Sequence, residues 1–579
     1  METRKPLSPF YAVTTQLRAS DLGALAAEGV QTVINNRPDG ESGDQPAGAE
    51  LAAAAERLGI AYHYVPVVSG QITDDDVRAF ATILANARGP VVAFCRTGSR
   101  STSLWALNEA RHLAPDAVLA TCATAGYDLS GLRPRLEAAW SAGTTGEATD
   151  TGNGRRYDVL IVGGGAAGLA TAASLLARRP ALDIAVIEPR EQHYYQPGWT
   201  LVGGGVFRRE QTVRPMADLM PAGARWIRAA VAAFEPGQNR VVLEDGERLS
   251  YRTLVAAPGI RLDWAAIEGL SETLGRNGVT SNYRYEMASY TWDLVQGLHG
   301  GRALFTQPPM PIKCAGAPQK AMYLACDEWR RRGVLDAIDV EFNSAGAVLF
   351  GVETFVPPLM RYVERYGIDL AFNSNLVAVD GPARTARFRV QDASGNERLV
   401  DKDFDMLHVC PPQTAPDVVR EGPLANAGGW IDVDPETLQH VRYGNVFGLG
   451  DACGAPNAKT AAAVRKQAPV VAENVIATLD GLRCRAVYDG YGSCPLTVAR
   501  GRVILAEFGY GGKLLPTFPL DPTVPRWSMW MLKEKWMPGI YFNLMLRGRE
   551  WLARPRRLPH DPEAREARDA LREGPARHR

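Results

Sequence analysis

The sequence predicts an α/β protein of several domains in which parallel sheets carry the functional loops. Three observations support this fold class. Short apolar segments typical of buried strands alternate with helical segments over residues 30–112, and the same alternation surrounds a glycine-rich turn at 163–168. The chain of 579 residues is also longer than one hydrophobic core can organise, so two or three domains are expected.

The glycine-rich turn is the strongest signal in the chain. An apolar strand is followed by Gly163, Gly165 and Gly168 at G-x-G-x-x-G spacing, and then by an Ala/Leu-rich helix. Such glycines let the backbone approach a pyrophosphate closely, and the open helix N-terminus supplies N–H donors. A second strand at 183–187 ends in Glu188, at the position where an acid contacts the ribose hydroxyls. Together these features predict a dinucleotide site.

Composition excludes several classes of function. The formal net charge is +0, so nothing points to nucleic acid as a partner. Eight cysteines in a chain of this length, without an apolar leader segment, predict a reducing cytoplasmic compartment in which thiols are chemical rather than structural. No apolar run approaches the roughly 20 residues that span a bilayer. The cysteines and histidines do not show metal-ligand spacing, so no metal site is predicted.

Residues 1–142 are predicted to form a small α/β domain of their own. Its strands are expected at 30–35, 61–67 and 91–94, and its helices at 50–58, 74–86 and 101–112. A polar Gly/Thr-rich linker is expected at 143–155.

The third strand of this domain leads into the loop CRTGSRS, which begins at Cys95. A cysteine between a strand and a helix N-terminus is a setting for a low-pKa thiolate and a bound anion, and Arg100 is placed to clamp an oxyanion. The loop is similar to those of dual-specificity tyrosine phosphatases and rhodanese-type sulfur transferases. With INNRPDGE, YVPVVSGQIT and AGYDLSGLRPRL, the domain resembles a small phosphatase-like family of sulfur transferases.

Three interpretations of this loop remain open. Only four residues separate Cys95 from Arg100, as in many rhodanese loops, whereas phosphatase loops have five. A phosphatase also needs a general acid, but segment 65–73 contains no Asp or Glu and Asp39 is the available substitute. A sulfur transferase is favoured because loop amides stabilise a terminal sulfur anion. The third interpretation is a loop without turnover.

The downstream half carries a second fingerprint, NVFGLGD, which ends in Asp451. Strands expected at 226–234 and 252–259 complete an outline that resembles the flavoproteins with two dinucleotide-binding domains. In that superfamily such an Asp binds the ribityl chain of the flavin, so the resemblance implies FAD at the first site. A helix expected at 459–468 begins at Lys459, and its N-terminus would stabilise negative charge on a reduced flavin.

A second complete glycine fingerprint is missing among the 57 glycines. Where a nicotinamide loop is expected, the chain reads PIKCAGAPQK, which contains Cys314 beside Lys313. Cys453 lies on another strand-end loop, just after Asp451. A neighbouring lysine and a following helix both lower the pKa of a thiol, so both cysteines are candidates for redox chemistry near the flavin. Two buried, inert cysteines are the alternative.

Longer motifs carry a closer resemblance. KCAGAPQKAMYL, NYRYEMASYTW, DMLHVCPPQTAPDVV, NVFGLGD and YDGYGSCPL resemble the sulfide:quinone oxidoreductases of mitochondria and many bacteria, from residue 157 to about 551. The resemblance implies FAD, a membrane quinone and two redox cysteines, with Cys314 proximal to the flavin and Cys453 taking the sulfide sulfur. It also implies that the FAD is lined by Glu188, Gln196, Val231 and Asp451. In the mitochondrial members the second cysteine directly follows the Asp, whereas Ala452 intervenes here.

Residues 526–553 are predicted to associate with a membrane. The segment holds four of the chain's 12 Trp, interspersed with Lys and Arg, a pattern typical of amphipathic helices in the interface plane. Helices packed on the protein's own core are the alternative. The flavoprotein part then covers 156–525, and the charged tail 554–579 is expected to be disordered.

The combined prediction is a peripheral (monotopic) enzyme on the cytoplasmic face of the inner membrane. It oxidises hydrogen sulfide to sulfane sulfur, reduces quinone, and passes the sulfur through its N-terminal domain to a small thiol or sulfite. Two other functions stay open. One is an NAD(P)H-dependent disulfide or quinone reductase, which the missing second glycine loop disfavours. The other is a redox-sensing flavoprotein with an N-terminal phosphatase domain.

Overall fold

A computed structural model describes residues 4–8, 10–87, 89–111, 113–145 and 155–558. The linker predicted at 143–155 lies largely outside these residues, as does most of the tail predicted at 554–579. Within the described part of the chain, no helix is both long and apolar enough to cross a membrane.

The N-terminal domain is built on a five-stranded sheet that contains all three predicted strands. Its spatial order is Lys5–Ser8, Tyr11–Thr14, Val91–Phe94, Thr32–Asn35 and Ala61–Tyr64. The first two strands form an antiparallel hairpin that the sequence prediction lacks, and the remaining pairs are parallel. Its helices are Ala19–Ala27, Gly48–Arg57, Asp74–Asn86, Ser99–Glu109, Pro115–Thr124 and Arg133–Thr145. The last helix extends past residue 142, so the predicted linker begins too early.

The glycine-rich turn follows a strand of a second sheet, as predicted. The parallel strands lie in the order Ala224–Ile227, Ile184–Ile187, Arg156–Val162, Arg248–Ala256 and Val446–Gly448. The single strand expected at 226–234 is wrong. Ala224–Ile227 pairs in parallel with Ile184–Ile187, whereas Val231–Glu235 turns away to pair antiparallel with Arg240–Leu243.

A third sheet forms a second βαβ unit without a glycine fingerprint. Its parallel strands lie in the order Val279–Thr280, Met406–His408, Gly301–Gln307, Ile338–Ser344 and Asp369–Ala371. Helix Ala317–Arg332 connects the two central strands. The loop that contains Cys314 therefore takes the place of a nucleotide loop, between a strand and the helix that follows it. An antiparallel ribbon is attached, with strands Ser374–Asp380, Thr385–Gln391 and Glu397–Asp403.

The C-terminal part covers both nucleotide-type sheets. Helix Ala461–Leu479 begins after Thr460, whose Oγ1 accepts a hydrogen bond from the backbone of Ala463. A hairpin, Gly492–Ala499 with Arg502–Phe508, packs against helix Ala317–Arg332. A continuous helical run of α, π and 3₁₀ turns follows over 527–547, and we call it the C-terminal segment. Smaller elements include helices Trp199–Gly203, Tyr285–Gly297 and Val356–Tyr366, and the strand pairs Gln192–Tyr194 with Val213–Pro215 and Ala486–Val487 with Arg556–Arg557.

The N-terminal domain contacts the rest of the chain through a docking interface centred on Arg442. This guanidinium donates to the carbonyl of Ala87 in the N-terminal domain at 3.0 Å, and to the carbonyls of Pro423 and Ala425 at 2.7 and 2.9 Å. Elsewhere, a Cβ added to Gly481 would lie 2.3 Å from the Cβ of Ala114, which shows how closely the two backbones approach.

The third glycine of the fingerprint fixes the contact between strand and helix. A Cβ added to Gly168 would lie 1.8 Å from the carbonyl oxygen of Gly163, whereas no described atom lies within 4 Å of the corresponding position at Gly165. Gly168→Ala is therefore expected to lower the free energy of unfolding by at least about 2 kcal/mol, because the helix must move off the strand. Gly165→Ala is the matched control and should leave the stability of the cofactor-free protein nearly unchanged. Chemical denaturation of the cofactor-free variants measures both, and equal stabilities would contradict this packing.

Candidate functional site

A cavity of about 560 Å³ lies at the carboxyl edges of the parallel strands of the second sheet, where open α/β sheets bind their ligands. The predicted cofactor residues that line it are Gly163, Gly165, Glu188, Gln196, Val231, Asp451 and Lys459. Gly168 lies beneath the loop and serves the packing described above. These residues are far apart in the sequence, and the fold brings them to one cavity.

The glycine loop is shaped for a phosphate-bearing ligand. The space beside Gly165 is open, and helix Ala166–Arg178 begins at this point with its N-terminus toward the cavity. Glu188 is held by the backbone, because its carboxylate accepts hydrogen bonds from the N–H groups of Gly164 and Arg190 at 2.8 and 2.9 Å.

Four polar side chains at the cavity wall are buried without a hydrogen-bond partner among the described residues. They are Trp199, Thr200, Asn282 and Ser493. Buried polar groups are nearly always paired, so these groups fit a ligand that carries nitrogen and oxygen atoms. A flavin ring system, which the sequence implies, has this chemistry.

Lys459 organises the loop that follows the second fingerprint. Its ammonium donates to the carbonyls of Asp451 and Cys453, both at 2.8 Å, and lies 4.0 Å from the ring centroid of Trp430. Burial raises the pKa of Asp451, while the nearby Lys313 and Lys459 oppose that shift. Lys459 therefore fixes the backbone of this wall.

The loop of Cys314 is tied to this wall. The backbone N–H of Cys314 donates to the carbonyl of Lys459 at 2.9 Å, and the ammonium of Lys313 donates to Gln196. Cys314 itself has φ 54°, in the left-handed region that residues other than glycine rarely adopt. Such conformations concentrate at functional sites.

The thiol that faces Cys314 belongs to Cys494. The two Sγ atoms lie 3.6 Å apart, and the ammonium of Lys320, one turn into the following helix, donates to the Cys314 sulfur at 3.0 Å. Gly316 permits this approach, because a Cβ there would lie 2.4 Å from the side chain of Leu496 on the same strand as Cys494. We call Cys314 and Cys494 the thiol pair.

The electrostatics of the thiol pair are asymmetric. The hydrogen bond from Cys494 and the ammonium of Lys320 hold the pKa of Cys314 well below its ordinary value, although burial opposes the shift. The same hydrogen bond, together with burial, raises the pKa of Cys494 well above its ordinary value. When the reduced pair loses one proton, the negative charge therefore lies on Cys314 and the remaining proton on Cys494.

The predicted pairing of Cys314 with Cys453 is wrong. The side chain of Cys453 packs in the core of the second sheet and is fully buried, and its sulfur accepts a hydrogen bond from the backbone of Ala455 at 3.5 Å. The sequence signal that would have indicated Cys494 is the motif YDGYGSCPL, but a cysteine inside an apolar strand also has the pattern of a core residue. Ala452 therefore does not disturb the thiol pair.

The C-terminal segment closes one side of the cavity. The hydroxyl of Tyr541 donates to Nε2 of His193 at 2.7 Å, and Nδ1 of His193 donates to the carbonyl of Gly164 at 3.2 Å. Burial lowers the pKa of His193 to about 4, so the ring is neutral and this assignment of donors is consistent. Lys533 is also buried and donates to Thr497 and to the carbonyl of Pro495.

The same segment has an exposed apolar side. Trp527 and Trp536 are 60% and 64% exposed, although Trp530, Tyr541 and Leu546 are buried. One face of this helical run is therefore packed on the core, as the second alternative predicts, and membrane binding by the exposed face stays a prediction. Apolar side chains at the cavity wall include Leu532, Met537 and Ile540 of this segment, and Leu505 and Phe518 outside it.

The Cys95 loop forms a second thiol site in the N-terminal domain. Cys95 is buried, and its sulfur accepts a hydrogen bond from the N–H of Gly98 at 3.2 Å. Arg100 donates to both carboxylate oxygens of Glu41 at 2.8 and 2.9 Å and to the carbonyl of Val67. The carboxylate that meets Arg100 is thus Glu41, which the sequence analysis missed.

Glu41 lies in the loop that also contains Asp39, the candidate acid. Hydrogen bonds to Arg100 and then Arg37 lower the pKa of Glu41. Asp39 instead accepts a hydrogen bond from the N–H of Gly48 at 2.9 Å, which holds its own loop. The site therefore contains a carboxylate fixed as an anion against Arg100, and Asp39 is engaged elsewhere.

Comparison with known proteins assigns a family to each part of the chain. Residues 4–112 match the family model of the beta-lactamase hydrolase-like protein, phosphatase-like domain, and residues 157–290 match that of the pyridine nucleotide-disulphide oxidoreductases. The beta-lactamase hydrolase-like protein of Agrobacterium fabrum is 40% identical over 98 residues, which are 17% of this chain and 23% of that protein.

Two further comparisons concern the flavoprotein part. The mitochondrial sulfide:quinone oxidoreductase of Mus musculus is 41% identical over 392 residues, which are 68% of this chain and 87% of that protein. The crystal structure of the sulfide:quinone oxidoreductase of Aquifex aeolicus superposes with a TM-score of 0.56 at 20% identity, covering 68% of this chain and 92% of that one, and supports the fold. These relationships imply a flavin cofactor. The chain therefore belongs to the sulfide:quinone oxidoreductase family, and carries a phosphatase-like domain at its N-terminal end.

Proposed function

We propose that this protein oxidises hydrogen sulfide to sulfane sulfur and passes the electrons through FAD to a membrane quinone. The observation that carries the proposal is the thiol pair, whose sulfur atoms lie 3.6 Å apart and of which Cys314 lines the cavity. The names of the curated relatives, which are sulfide:quinone oxidoreductases, support the same substrates.

The residues at the cavity fit FAD. The glycine loop and the N-terminus of helix Ala166–Arg178 would hold its pyrophosphate, and Glu188 its ribose. Asp451 would bind the ribityl chain. When bound, the flavin supplies a two-electron acceptor for the thiol pair and a two-electron donor for the quinone.

Sulfide is expected to react with the oxidised form of the thiol pair, a disulfide. HS⁻ attacks Sγ of Cys494, the bond between the two sulfurs breaks, and the electron pair stays on Cys314 as a thiolate. Lys320 stabilises that thiolate, because its ammonium lies 3.0 Å from the sulfur. Cys494 then holds the sulfane sulfur as a persulfide, until a nucleophilic acceptor removes it and the disulfide forms again as two electrons leave the pair.

The N-terminal domain is proposed to take up the sulfane sulfur on Cys95 and to pass it to a small thiol or sulfite. The supporting geometry is the N–H of Gly98, which already contacts the Cys95 sulfur and would stabilise a terminal sulfur anion. Glu41 neutralises the charge of Arg100 in an ion pair, so the exposed Arg96 is the side chain that offers positive charge at the loop to an anionic donor or acceptor.

The quinone is proposed to enter from a membrane surface beneath the C-terminal segment. Apolar side chains of this segment line the cavity, and Trp527 and Trp536 of the same segment are exposed. Amphipathic helices of this kind lie in the interface plane. Peripheral binding at the cytoplasmic face of the inner membrane is the localisation that we propose.

The first test concerns the thiol pair. Cys314→Ser and Cys494→Ser should each lower sulfide-dependent quinone reduction by at least about 1000-fold, because the loss of one member of a catalytic unit disables it. Both should retain the flavin absorbance. Cys453→Ala is the matched control and should keep near-wild-type turnover, measured by the quinone absorbance.

Three outcomes would contradict this proposal. One is full activity of Cys494→Ser together with loss of activity in Cys453→Ala. The second is reduction of the flavin by NADH or NADPH but not by sulfide, which would favour a pyridine-nucleotide-dependent reductase. The third is reduction of the flavin by sulfide without turnover on quinone, which would favour a redox sensor.

The second test concerns Lys320. Removal of its charge in Lys320→Met should raise the pKa of Cys314, so that fewer thiolates are present at pH 7. Alkylation of Cys314 by iodoacetamide in the reduced enzyme should then slow by at least about 10-fold at pH 7 and recover at alkaline pH. Lys320→Arg should keep most of the rate, and Lys513→Met, at an exposed lysine, should not change it. An unchanged pH profile in Lys320→Met would show that this ammonium does not stabilise the thiolate.

The third test concerns the membrane. Trp527→Ala combined with Trp536→Ala should weaken binding to phosphatidylglycerol-containing vesicles by at least about 10-fold, because each buried indole contributes roughly 2 kcal/mol. Leu399→Ala removes a side chain that is also 60% exposed but lies on the antiparallel ribbon, so it should bind as the wild type does. Co-sedimentation measures all three. Equal binding of the tryptophan variant would place the membrane contact elsewhere.

A further inference from the structure

The two thiol sites of this chain lie on opposite sides of the docking interface. On the flavoprotein side, Arg442 and Gly444 immediately precede strand Val446–Gly448, and Gly481 follows helix Ala461–Leu479. The interface is therefore at the amino-terminal edge of the strand, whereas the cavity is at its carboxyl edge, beside Asp451.

Helix Ala461–Leu479 gives the scale of this separation. Thr460 and Ala461 at its beginning line the cavity, and Gly481 just past its end meets Ala114 of the N-terminal domain. The helix has 19 residues, so its two ends are about 28 Å apart. The thiol pair belongs to the distant end, because the backbone of Cys314 is hydrogen-bonded to Lys459.

In the N-terminal domain, too, the thiol site and the docking interface lie at opposite ends of a helix. The Cys95 loop precedes helix Ser99–Glu109, and Glu109 and Leu113 at the far end of that helix approach Gly444 across the interface. The helix has 11 residues, so its ends are about 16 Å apart. Strand Val91–Phe94 gives the same result, because Ala87 before the strand contacts Arg442 and Cys95 follows its carboxyl end.

The surroundings of the Cys95 loop belong to its own domain. Tyr127 donates to the carbonyl of Thr97 at 3.1 Å, and Arg100 contacts Glu41 and Val67. Arg483 of the flavoprotein part reaches the N-terminal domain at Thr124, at 3.4 Å, which is the last residue of helix Pro115–Thr124 and not part of the loop. The contacts of Arg442 with Ala87, of Gly444 with Glu109 and Leu113, and of Gly481 with Ala114 thus join the domains by the edges opposite to their thiol sites.

We infer that sulfane sulfur travels between the two sites on a diffusible low-molecular-weight persulfide. The Cys494 persulfide and the Cys95 thiolate do not react with each other directly. This inference rests on the proposed function. A small thiolate attacks the sulfane sulfur of the Cys494 persulfide, a new S–S bond forms, and the Cys494 thiolate leaves. The Cys95 thiolate then attacks the outer sulfur of the small persulfide, becomes a persulfide itself and releases the small thiolate. Sulfur moves twice without any net change of electrons, so no further oxidant is required.

The test separates transfer within one chain from transfer through solution. The donor is the full-length Cys95→Ser variant, and the acceptor is the full-length variant with both Cys314→Ser and Cys494→Ser, which still contains Cys95. The mixture receives sulfide, a soluble quinone and glutathione, and Cys95 persulfide is measured by mass spectrometry after alkylation. Wild-type chain with one equivalent of sulfide, quinone and no glutathione is the second arm, since excess sulfide would itself act as a carrier.

The expected result is labelling of Cys95 in the acceptor chain that rises in proportion to glutathione and falls at least 10-fold without it. In the wild-type arm, Cys95 should stay unlabelled although Cys494 carries the persulfide, because no small thiol is present to remove its sulfane sulfur. Labelling of Cys95 in the wild-type arm, with none in the mixture, would overturn the inference and show direct transfer. Failure of the donor to reduce quinone, or failure of added glutathione persulfide to label Cys95 in the acceptor, would instead overturn the proposed function, and with it the carrier.

Discussion

A negative charge on a sulfur atom in the protein interior is the constraint on which the rest of the site depends. A buried ion needs a partner, because the interior does not solvate it as water does. Lys320 supplies that partner at 3.0 Å from Cys314, and it can do so because it lies one turn into a helix that begins directly after the Cys314 loop. The loop, the helix and the hairpin that carries Cys494 therefore work as one unit.

This unit explains how a nucleotide-type fold can carry a reactive cysteine at the position where a nucleotide would otherwise bind. The second βαβ unit keeps its parallel strands and its connecting helix, but the turn between them carries a cysteine in a left-handed conformation where a glycine loop would approach a phosphate. The turn also contacts the loop that precedes helix Ala461–Leu479, since the N–H of Cys314 is hydrogen-bonded to the carbonyl of Lys459. The turn at this position thus places Cys314 at the wall of the cavity.

The C-terminal segment links the cavity to the surface of the molecule. Its buried face is fixed by the relay from Tyr541 through His193 to Gly164, and its exposed face presents tryptophans. An apolar ligand that enters beneath this segment, as proposed, would meet the cavity without crossing the protein core. The Cys95 loop lies at the start of helix Ser99–Glu109, whereas Glu109 at the other end of that helix approaches Gly444 across the docking interface.

The sequence by itself determined the local features of this protein. Glycine spacing, strand and helix periodicity, and the acid at 188 depend on near neighbours, and for this reason the nucleotide loop, the three predicted N-terminal strands and most cavity residues were predictable. The partner of Cys314 was not, because Cys494 lies 180 positions away and its strand has the pattern of ordinary core. Only the tertiary structure decided that pair, the contact of Glu41 with Arg100, and the placement of the two thiol sites on opposite sides of the docking interface. In each case the contact joins segments that are far apart in the sequence, and the local propensities of one segment do not indicate which other segment it will contact.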